Sequence, residues 1–441
     1  MSFVDTLVEE TDAEVVMVDR RHAPGGHWLE AYPFVRLHQP SRYYGANSTP
    51  LGGESRQANG PETGMYERAS GSEVCAYYDR VMREHLIASG KVRFFPQCDY
   101  IGDGRFVSRL SGESFDVSVR KRIVDAAYLP HAIPSEYPPR FELAPDVACV
   151  TPRELTGLAD HPDGYVVIGA GKTGMDTCVW LLENGVDPDA IRWIKPREAW
   201  LLNREYAQPG ELVGSLLEGI GRQMEAAAAA TSVEDLFDRL EAAGQMLRVD
   251  TSVRTTMHRG ATISEWEVDL LRQIRNVDRL GHVRHIERDR IVLDQGAVPT
   301  GPGNLHVHCT APGAPRRPPV PIFEGDRITL QSIRLGLPPF AAATIAFVEA
   351  NRDDDTEKNR LCPPNTYPTT DLDWARSTLI GQNADHTWSK EPDIMAWLDR
   401  SRLNAASGLA GRAGEPEVQQ AMQRFVEHVR PGLARLAELT G

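Results

Sequence analysis

The fold is decided by the stretch Tyr165-Val166-Val167-Ile168-Gly169-Ala170-Gly171-Lys172-Thr173-Gly174-Met175-Asp176. An apolar run of strand character enters a turn with the spacing G-x-G-x-x-G, and an amphipathic helical pattern follows the turn. Glycines at this spacing let the backbone turn tightly, approach a pyrophosphate and pack the helix against its strand. The free N–H groups at the start of such a helix face the phosphates. We therefore expect a dinucleotide site made by Gly169, Ala170, Gly171, Lys172, Thr173 and Gly174.

The residues after this helix continue the pattern of a nucleotide-binding unit. A short connection with Gly185 and Pro188 leads into a second apolar run at residues 191–194. The order is strand, turn, helix, strand, as in a Rossmann half-unit. The alternative is a βαβ unit with a purely structural role.

The second apolar run ends in the cationic segment Lys195-Pro196-Arg197. Cations at this point of the fold pair with the 2′-phosphate of NADP(H), whereas a carboxylate binds ribose hydroxyls. We expect Lys195 and Arg197 to select NADP, with Arg204 as the reserve candidate. The alternative is a solvated turn with ordinary surface charge.

The first 19 residues repeat the second part of this unit. A helical pattern with Phe3, Leu7 and Val8 runs into an apolar strand that ends at Asp19. We expect a first strand and glycine turn to precede Met1, and Asp19 to hold the ribose of FAD. The alternative is a free-standing N-terminal helix.

A turn rich in glycine and aromatic residues follows Asp19. Gly25 and Gly26 permit close approach of the backbone to a ligand, and the nearby side chains can flank a flavin ring. The predicted FAD contacts are Asp19, Arg20, Gly25, Gly26, His27 and Trp28. The candidates for the catalytic face of the flavin are His38, Gln39, Tyr44 and Asn47. The same residues are also compatible with a buried polar loop.

Composition excludes several other classes of protein. The chain has 441 residues, 41% of them hydrophobic and 25% charged, and its net charge of −14 argues against nucleic-acid binding. Residues 1–10 lack the features of a secretory signal, so we expect a cytoplasmic protein. Residues 335–348 are too short to cross a membrane and predict a buried helix. The six cysteines are scattered without a C-x-x-C pair, which predicts free thiols and no metal site.

The remaining patterns divide the chain into regions. Residues 211–247 predict a helical insertion, residues 352–359 a solvated charged loop, and residues 403–441 a helix that packs on the body or on another subunit. We expect domain segments at 1–155 and 311–360 for FAD, at 156–310 for NADP, and a mostly helical region at 361–441.

These motifs together resemble the flavin-containing monooxygenase-like FAD/NAD(P)-binding oxidoreductases. Asp19 followed by Gly25-Gly26-His27-Trp28 is similar to the strand-end acid and G-G-x-W turn of that family, and Gly169 to Gly174 is similar to its second glycine motif. Cys309-Thr310-Ala311 lies where the family has an A-T-G-like strand end, which implies that Thr310 and Ala311 contact a cofactor. Gln39 stands near the position at which relatives carry an asparagine.

The resemblance implies an α/β fold with two Rossmann-like dinucleotide-binding domains, the NADP domain being inserted in a discontinuous FAD domain. It implies FAD and NADP as cofactors, and a small organic substrate with O₂ as its partner in the reaction. NADPH would reduce the flavin, and oxygen would then pass to a soft nucleophile such as nitrogen or sulfur. The alternative function is a non-catalytic or degenerate NADP-binding relative that has lost FAD. An oligomer is compatible with both.

Overall fold

Parallel strand pairs occur both before and after the glycine turn in the chain. The computed structural model describes residues 1–52, 54–130, 132–313 and 317–441. Its strands are β1 (Val15–Asp19), β2 (Val92–Pro96), β3 (Cys98–Gly102), β4 (Arg105–Ser108), β5 (Ser114–Asp116), β6 (Ile123–Asp125), β7 (Glu142–Leu143), β8 (Cys149–Val150), β9 (Gly164–Ile168), β10 (Ile191–Ile194), β11 (Ala199–Asn203), β12 (Met246–Leu247), β13 (Met257–Ile263), β14 (Asn276–Asp278), β15 (Val283–Ile286), β16 (Arg290–Leu293), β17 (Gly296–Pro299), β18 (Asn304–His308), β19 (Phe323–Glu324) and β20 (Arg327–Thr329).

The helices cover the sheets and dominate the C-terminal part of the chain. They are α1 (Ser2–Glu10), α2 (Gly71–Arg80), α3 (Pro152–Leu155), α4 (Lys172–Glu183), α5 (Val213–Ala229), α6 (Val233–Ala242), α7 (Glu265–Leu271), α8 (Pro338–Asn351), α9 (Asp355–Leu361), α10 (Asp371–Trp388), α11 (Pro392–Arg400) and α12 (Pro416–Thr440). A π-helical segment, Val81–Ile87, extends α2.

The sheet that carries the glycine turn is parallel throughout. Its order in the described residues is β14-β10-β9-β18-β8. Val167, Trp193 and Val307 come from three adjacent strands of this sheet and are completely buried. Apolar strand residues buried on both faces are typical of parallel sheets flanked by helices. The turn after β9 is therefore held at the carboxyl end of a rigid layer.

A second group of parallel strands lies in the part predicted for FAD. β1 pairs with β2, and β6 pairs with β20 about 200 residues later in the chain. α1 and α8 pack on each other in the same apolar core that contains Ile328 of β20. Within the described ranges, β1 has no second neighbour and neither does β6. The strand expected before Met1 stays a prediction.

A helical layer made of α5, α6, α10 and α12 adjoins the three-stranded sheet β12-β11-β13. α5 and α12 pack closely at two glycines. A β-carbon on Gly221 would lie 3.2 Å from the side chain of Arg424, and a β-carbon on Gly432 would lie 2.6 Å from the carbonyl oxygen of Met224. Glycine at these two positions lets the helix backbones approach. The layer therefore packs closely beside the sheet β12-β11-β13.

Several predictions from the sequence are confirmed. The fold is α/β with parallel sheets. The segment 211–247 contains α5 and α6, and the predicted buried apolar helix is α8, whose first residues are Pro338 and Pro339. The C-terminal region is mostly helical. How the domains are arranged in the chain stays a prediction.

The charged run at 352–359 was wrongly predicted as a solvated loop. The Asp354 side chain accepts a hydrogen bond from the N–H of Glu357 and starts α9 at Asp355. Asp355 pairs with Arg122 at 2.6 Å, and Arg352 pairs with Asp393 at 2.7 Å. An N-cap and ion pairs to distant segments therefore order this run. The N-cap is a local pattern, but the pairing with Arg122 and Asp393 is not visible in the local sequence.

Candidate functional site

Each glycine of the turn meets a different environment. Gly169 has φ of +138°, and a β-carbon there would lie 3.0 Å from the carbonyl oxygen of Cys309. A β-carbon on Gly174 would collide with the carbonyl oxygen of Gly169. By contrast, Gly171 has open space of at least 4 Å around the position of a β-carbon. Two of the glycines allow tight packing of the turn, and the third leaves an open cradle.

The helix that follows the turn presents free backbone donors. α4 starts at Lys172, and its N-cap residue Gly171 provides no side-chain hydrogen bond. The first N–H groups of a helix have no partner within the helix and favour an anion. Gly169, Ala170, Gly171, Lys172 and Thr173 line a cavity of about 2080 Å³. The open cradle and the bare helix start are thus part of the cavity wall and fit a pyrophosphate.

Another part of the cavity wall comes from the N-terminal part of the chain. Of the residues expected to contact flavin, His27, Trp28, His38, Gln39 and Tyr44 line the cavity. Thr310 and Ala311 also line it, as do Met1, Ser2 and Phe3 at the start of α1. The structure therefore brings the glycine turn and most of the predicted flavin face to one cavity.

Five of the residues predicted to contact FAD or form the flavin face do not line the cavity. The Asp19 carboxylate accepts a hydrogen bond of 2.9 Å from the N–H of Arg21. Gly25 and Gly26 start a short 3-10 turn, and Arg20 is exposed. Asn47 Oδ1 accepts a 2.8 Å hydrogen bond from Ser401. The cofactor roles of the first four and the catalytic role of Asn47 stay predictions.

The predicted 2′-phosphate cations lie in contrasting positions. Lys195 is 1% exposed, its Nζ is 2.7 Å from Glu198 Oε2, and it lies 4.1 Å from the ring centre of Trp193. Arg197 is exposed and lines the cavity, and it has no ion-pair partner among the described residues. The structure thus leaves Arg197 available to an anionic ligand, while Lys195 already has a buried carboxylate partner. Both roles stay predictions.

Arg204, the reserve candidate, lies in a buried ionic cluster between the two groups of strands. Its guanidinium pairs with Glu62 and, at 2.5 Å, with Glu267, and its Nε donates a 3.0 Å hydrogen bond to the carbonyl oxygen of His38. Arg204 is 1% exposed. Its donors are already occupied by protein groups, and these contacts join β13 and α7 to the segments that carry Glu62 and His38.

Lys172 connects this ionic cluster to the glycine turn. Its Nζ is 3.0 Å from Glu267 Oε1 and also contacts Asp176, whose other oxygen accepts a 2.6 Å hydrogen bond from the hydroxyl of Tyr32. Burial raises the pKa of Glu267, but the charges of Lys172 and Arg204 outweigh it and lower the pKa below its ordinary value. The carboxylate therefore stays ionised, and the cluster binds the turn to residues 32–38.

Two candidates on the cavity wall keep neutral side chains at neutral pH. The pKa of His38 is lowered to about 4 by burial, with the cations Lys172 and Arg204 contributing. Burial raises the pKa of Tyr44, whose hydroxyl accepts a 2.9 Å hydrogen bond from Trp28 Nε1. Both side chains can exchange hydrogen bonds with a ligand without carrying charge.

Sequence reasoning missed the acidic members of the ionic cluster. Glu267 is visible locally only as the last residue of a capping box with Ser264, which predicts a helix start. Its contacts with Lys172 and Arg204 span 95 and 63 residues. Nothing in one sequence indicates a pairing at such separations.

Metal sites, disulfides and membrane-spanning helices were also searched for among the described residues. These residues contain no group of three or more metal-ligating side chains. All six cysteines are free. Among the helices of the described parts, none has the length and apolar character needed to cross a bilayer.

Comparison with known proteins gives distant structural and close sequence relatives. No protein-family model matches the chain. A flavin-containing monooxygenase from Stenotrophomonas maltophilia is 15% identical, with 70% of this chain and 74% of that chain covered and a TM-score of 0.40. DfoA, described as the FAD-bound cadaverine monooxygenase of desferrioxamine biosynthesis from Erwinia amylovora, is 13% identical, with 80% and 93% covered and a TM-score of 0.43. TM-scores below 0.5 do not establish a shared fold.

The sequence relatives are much closer. The uncharacterized protein Rv2000 of Mycobacterium tuberculosis and the uncharacterized protein Mb2023 of Mycobacterium bovis are each 49% identical to the chain over 410 residues. The match covers 93% of this chain and 76% of each relative. The chain belongs to the same protein family as these two mycobacterial proteins.

Proposed function

We propose that the protein is an FAD- and NADPH-dependent oxidoreductase, monooxygenase-like, that acts on a small organic substrate. The observation that carries this proposal is the shared cavity. The glycine turn with its open cradle at Gly171 faces the same space as Trp28, His38, Gln39 and Tyr44. A hydride donor and an aromatic acceptor ring can therefore meet in one cavity.

The backbone N–H donors of the glycine turn are suited to the pyrophosphate of NADPH. The pyrophosphate would bind to the first N–H groups of α4 at Gly171, Lys172 and Thr173. Arg197, exposed at the end of β10 and facing the cavity, would bind the 2′-phosphate. The buried Lys195 would support that strand end through Glu198.

FAD fits the part of the cavity wall where aromatic and amide side chains from the N-terminal region lie. Trp28 and Tyr44 would flank the ring, and His38 and Gln39 would supply hydrogen bonds. Asp19 would hold the ribose from the end of β1. When bound, FAD would supply hydride acceptance and reaction with O₂.

The protein's own contribution is to orient the nucleotides and to set the charge of the cavity wall. The ionic cluster of Arg204, Glu62, Glu267 and Lys172 fixes the glycine turn relative to His38. His38 is neutral at pH 7, so it adds no positive charge to the cavity wall. Tyr44 keeps its proton on the hydroxyl at neutral pH, because burial raises its pKa.

We further propose that the NADP domain, about residues 156–310, is inserted in an FAD domain made of about residues 1–155 and 311–360. The pairing of β6 with β20 supports this arrangement, because strands on either side of the nucleotide sheet in sequence adjoin in space. Residues 361–441 then form a helical region against both parts.

The test is the absorbance spectrum of the full-length chain after addition of FAD. We expect a yellow protein that retains FAD after gel filtration and bleaches on anaerobic addition of NADPH. A protein that binds NADPH, remains colourless and leaves the nucleotide unoxidised would instead show the alternative, a binding protein that has lost FAD. Failure to bind either nucleotide would reject both.

A further inference from the structure

One face of α10 lines the large cavity in the middle of the helix. Thr378, Gly381, Gln382 and Asp385 all line the cavity, and their spacing of three and four residues places them side by side on the helix surface. Each of these residues is partly exposed. We call this set the α10 face.

Gly381 lies in the interior of α10, where glycine is disfavoured because it loses more backbone entropy than other residues. Interior glycines of other helices have a packing reason. A β-carbon would lie 2.8 Å from the Tyr206 side chain at Gly219, and 2.6 Å from the carbonyl oxygen of Met224 at Gly432. A β-carbon on Gly381 would meet nothing within 4 Å beyond the adjoining helix backbone. Packing within the protein therefore does not require glycine here, and the bare backbone leaves space for a molecule in the cavity.

The polar side chains beside Gly381 have unused hydrogen-bonding capacity. Neither the Thr378 hydroxyl nor the Gln382 amide bonds to another described residue. Asp385 Oδ1 accepts hydrogen bonds from Arg334 Nε, at 2.8 Å, and from Nη2 of the same side chain, but Oδ2 accepts none within the described ranges. The Asp385 side chain is 32% exposed. These groups are therefore available to a molecule that lies against the α10 face.

Arg334 compensates the charge of Asp385. Its guanidinium carbon lies 5.0 Å from the ring centre of Phe340 and 5.1 Å from that of Trp388, and its Nη1 donates a 3.3 Å hydrogen bond to Asn404 Oδ1. These contacts hold the guanidinium beside the carboxylate. An ammonium or a carboxylate brought to the α10 face would lose hydration next to a pair whose charges already cancel. The face therefore favours an uncharged polar group.

The size of the cavity leaves room for a molecule besides the cofactors. A single small-molecule site has a volume of roughly 300–1,000 Å³. This cavity measures about 2080 Å³, and both the α10 face and the flavin-face candidates Trp28 and Tyr44 line it. No residue of the α10 face is assigned to FAD or NADPH. A molecule bound there would share the cavity with the predicted flavin site.

We infer that the α10 face binds a neutral polar group of the substrate, such as a carboxamide, that both donates and accepts hydrogen bonds. The group would lie against the backbone of Gly381, donate to Asp385 Oδ2 and accept from Thr378 or Gln382. As a statement about the substrate class it rests on the proposed function, but the binding itself requires neither cofactor.

The test is ligand binding to the full chain without added nucleotide, measured by saturation-transfer NMR with hexanamide, hexylammonium and hexanoate. These compounds have the same number of carbon atoms and differ in charge. We expect hexanamide to bind, and the two ions to bind at least about tenfold more weakly. Equal affinity for hexanamide and either ion would overturn the inference, as would absence of hexanamide binding.

Gly381→Ala should separate ligand binding from folding. Alanine is favoured over glycine in a helix and has space at this position, so we expect an unchanged or higher melting temperature. Its methyl group would take the place of the bound group and weaken hexanamide binding at least about tenfold. Asn383→Ala, at an exposed position of α10 outside the cavity, is the matched control, since it also raises helix propensity and should leave hexanamide binding unchanged. If both variants bind hexanamide alike, the α10 face is not the site.

Asp385→Asn should change the charge preference of the site. It removes the negative charge that compensates Arg334, so hexanoate should bind at least about tenfold more tightly than to the unsubstituted protein. Asp399→Asn is the matched control, because Asp399 also lines the cavity but is exposed and has no ion-pair partner among the described residues. We expect it to leave hexanoate binding unchanged. An equal response of the two variants would show that Arg334 and Asp385 do not set the charge preference.

These measurements separate the inference from the proposed function. Hexanamide binding with the expected selectivity in a protein that fails to oxidise NADPH would retain the ligand site and reject the oxidoreductase. NADPH oxidation in a protein that does not distinguish hexanamide from the two ions would retain the oxidoreductase and reject the ligand site.

Discussion

The indole Nε1 of Trp193 donates a 2.8 Å hydrogen bond to the carbonyl oxygen of Gly169. The donor lies in β10 and the acceptor in the turn after β9, so the bond fixes the turn from the adjacent strand. It also orients the carbonyl against which Gly174 packs. One buried side chain thus holds the geometry of the whole glycine turn.

Trp193→Phe should therefore loosen the turn without changing any residue expected to touch the nucleotide. The substitution leaves the carbonyl of Gly169 unpaired in a buried place, which costs about 1–3 kcal/mol, and creates a small void. We expect lower stability in urea unfolding and weaker NADPH binding by about tenfold in fluorescence titration. Trp266→Phe, on α7, is the control for loss of an indole. Unchanged NADPH affinity in Trp193→Phe would show that the turn does not depend on this bond.

Gly171→Ala and Gly174→Ala should separate binding from folding. Gly171 has φ of −81° and open space around it, so alanine fits the free protein but occupies the place of the phosphate. We expect unchanged or slightly higher thermal stability and at least tenfold weaker NADPH binding. Gly174→Ala places a methyl group against the carbonyl of Gly169 and should lower the melting temperature. If Gly171→Ala binds NADPH as tightly as the unsubstituted protein, the pyrophosphate does not bind at Gly171.

Arg197→Ala should change the choice of nucleotide, and Lys195→Ala should change stability. Arg197 is exposed at the cavity and pairs with no described carboxylate, so its loss should weaken NADPH by more than tenfold and leave NADH unchanged. Lys195→Ala leaves Glu198 buried with Arg279 as its remaining cationic partner. We expect it to lower the free energy of unfolding, measured in urea. If Arg197→Ala weakens both nucleotides equally, its role in selecting NADP is rejected.

The different environments of Lys195 and Arg197 show which features of the site can be predicted from the sequence. The pattern of apolar run, glycine turn and helix is local, so the strand β9, the helix α4 and the strand β10 were all predictable from residues 165–194. Lys195 is buried and paired with Glu198, whereas Arg197 is exposed and available to a ligand. Those are properties of the packed state, and residue type alone does not contain them.

The ionic cluster is the clearest case of information that sequence patterns lack. Arg204 was recognised only as a nearby cation, yet it lies between Glu62 and Glu267 from distant segments. The partners of such ion pairs are far apart in the sequence, so local periodicity cannot predict them. The same reason explains the error at residues 352–359, where Arg122 pairs with Asp355 across more than 200 residues.

Arg204→Met should be strongly destabilising. It preserves much of the side-chain volume but leaves Glu62 with Arg68 and Glu267 with Lys172 as their remaining cations. A lost hydrogen bond to a buried charged group costs about 1.5–3 kcal/mol, so we expect the free energy of unfolding to fall by about 3 kcal/mol. Denaturant unfolding should show this loss, and Arg197→Met, an exposed position, should show almost none. If both variants unfold alike, the cluster makes no net contribution to stability.

His258 should make the stability of the fold depend on pH. It is completely buried between Phe237 and Trp374, its Nδ1 accepts a 3.2 Å hydrogen bond from the N–H of Gly260, and burial lowers its pKa to about 3. The unfolded chain takes up a proton near the ordinary pKa of about 6.5, but the folded protein resists protonation until the pH approaches 3. The stabilising effect of the neutral imidazole is therefore complete above pH 6.5 and decreases as the pH falls through that window.

Between pH 7 and 4.5 this single group should remove roughly 3 kcal/mol from the free energy of unfolding. His258→Asn keeps a hydrogen-bond acceptor near Gly260 and has no titrating group, so we expect a lower stability at pH 7 but a smaller decrease on acidification. His161→Asn, at an exposed position, is the matched control. The measurement is urea unfolding at half-unit steps of pH, and the difference between the His258→Asn and unsubstituted curves isolates this histidine from the carboxylates that titrate below pH 5. A constant difference across the whole range would mean that His258 takes up its proton in the folded state, which would contradict its burial among aromatic rings.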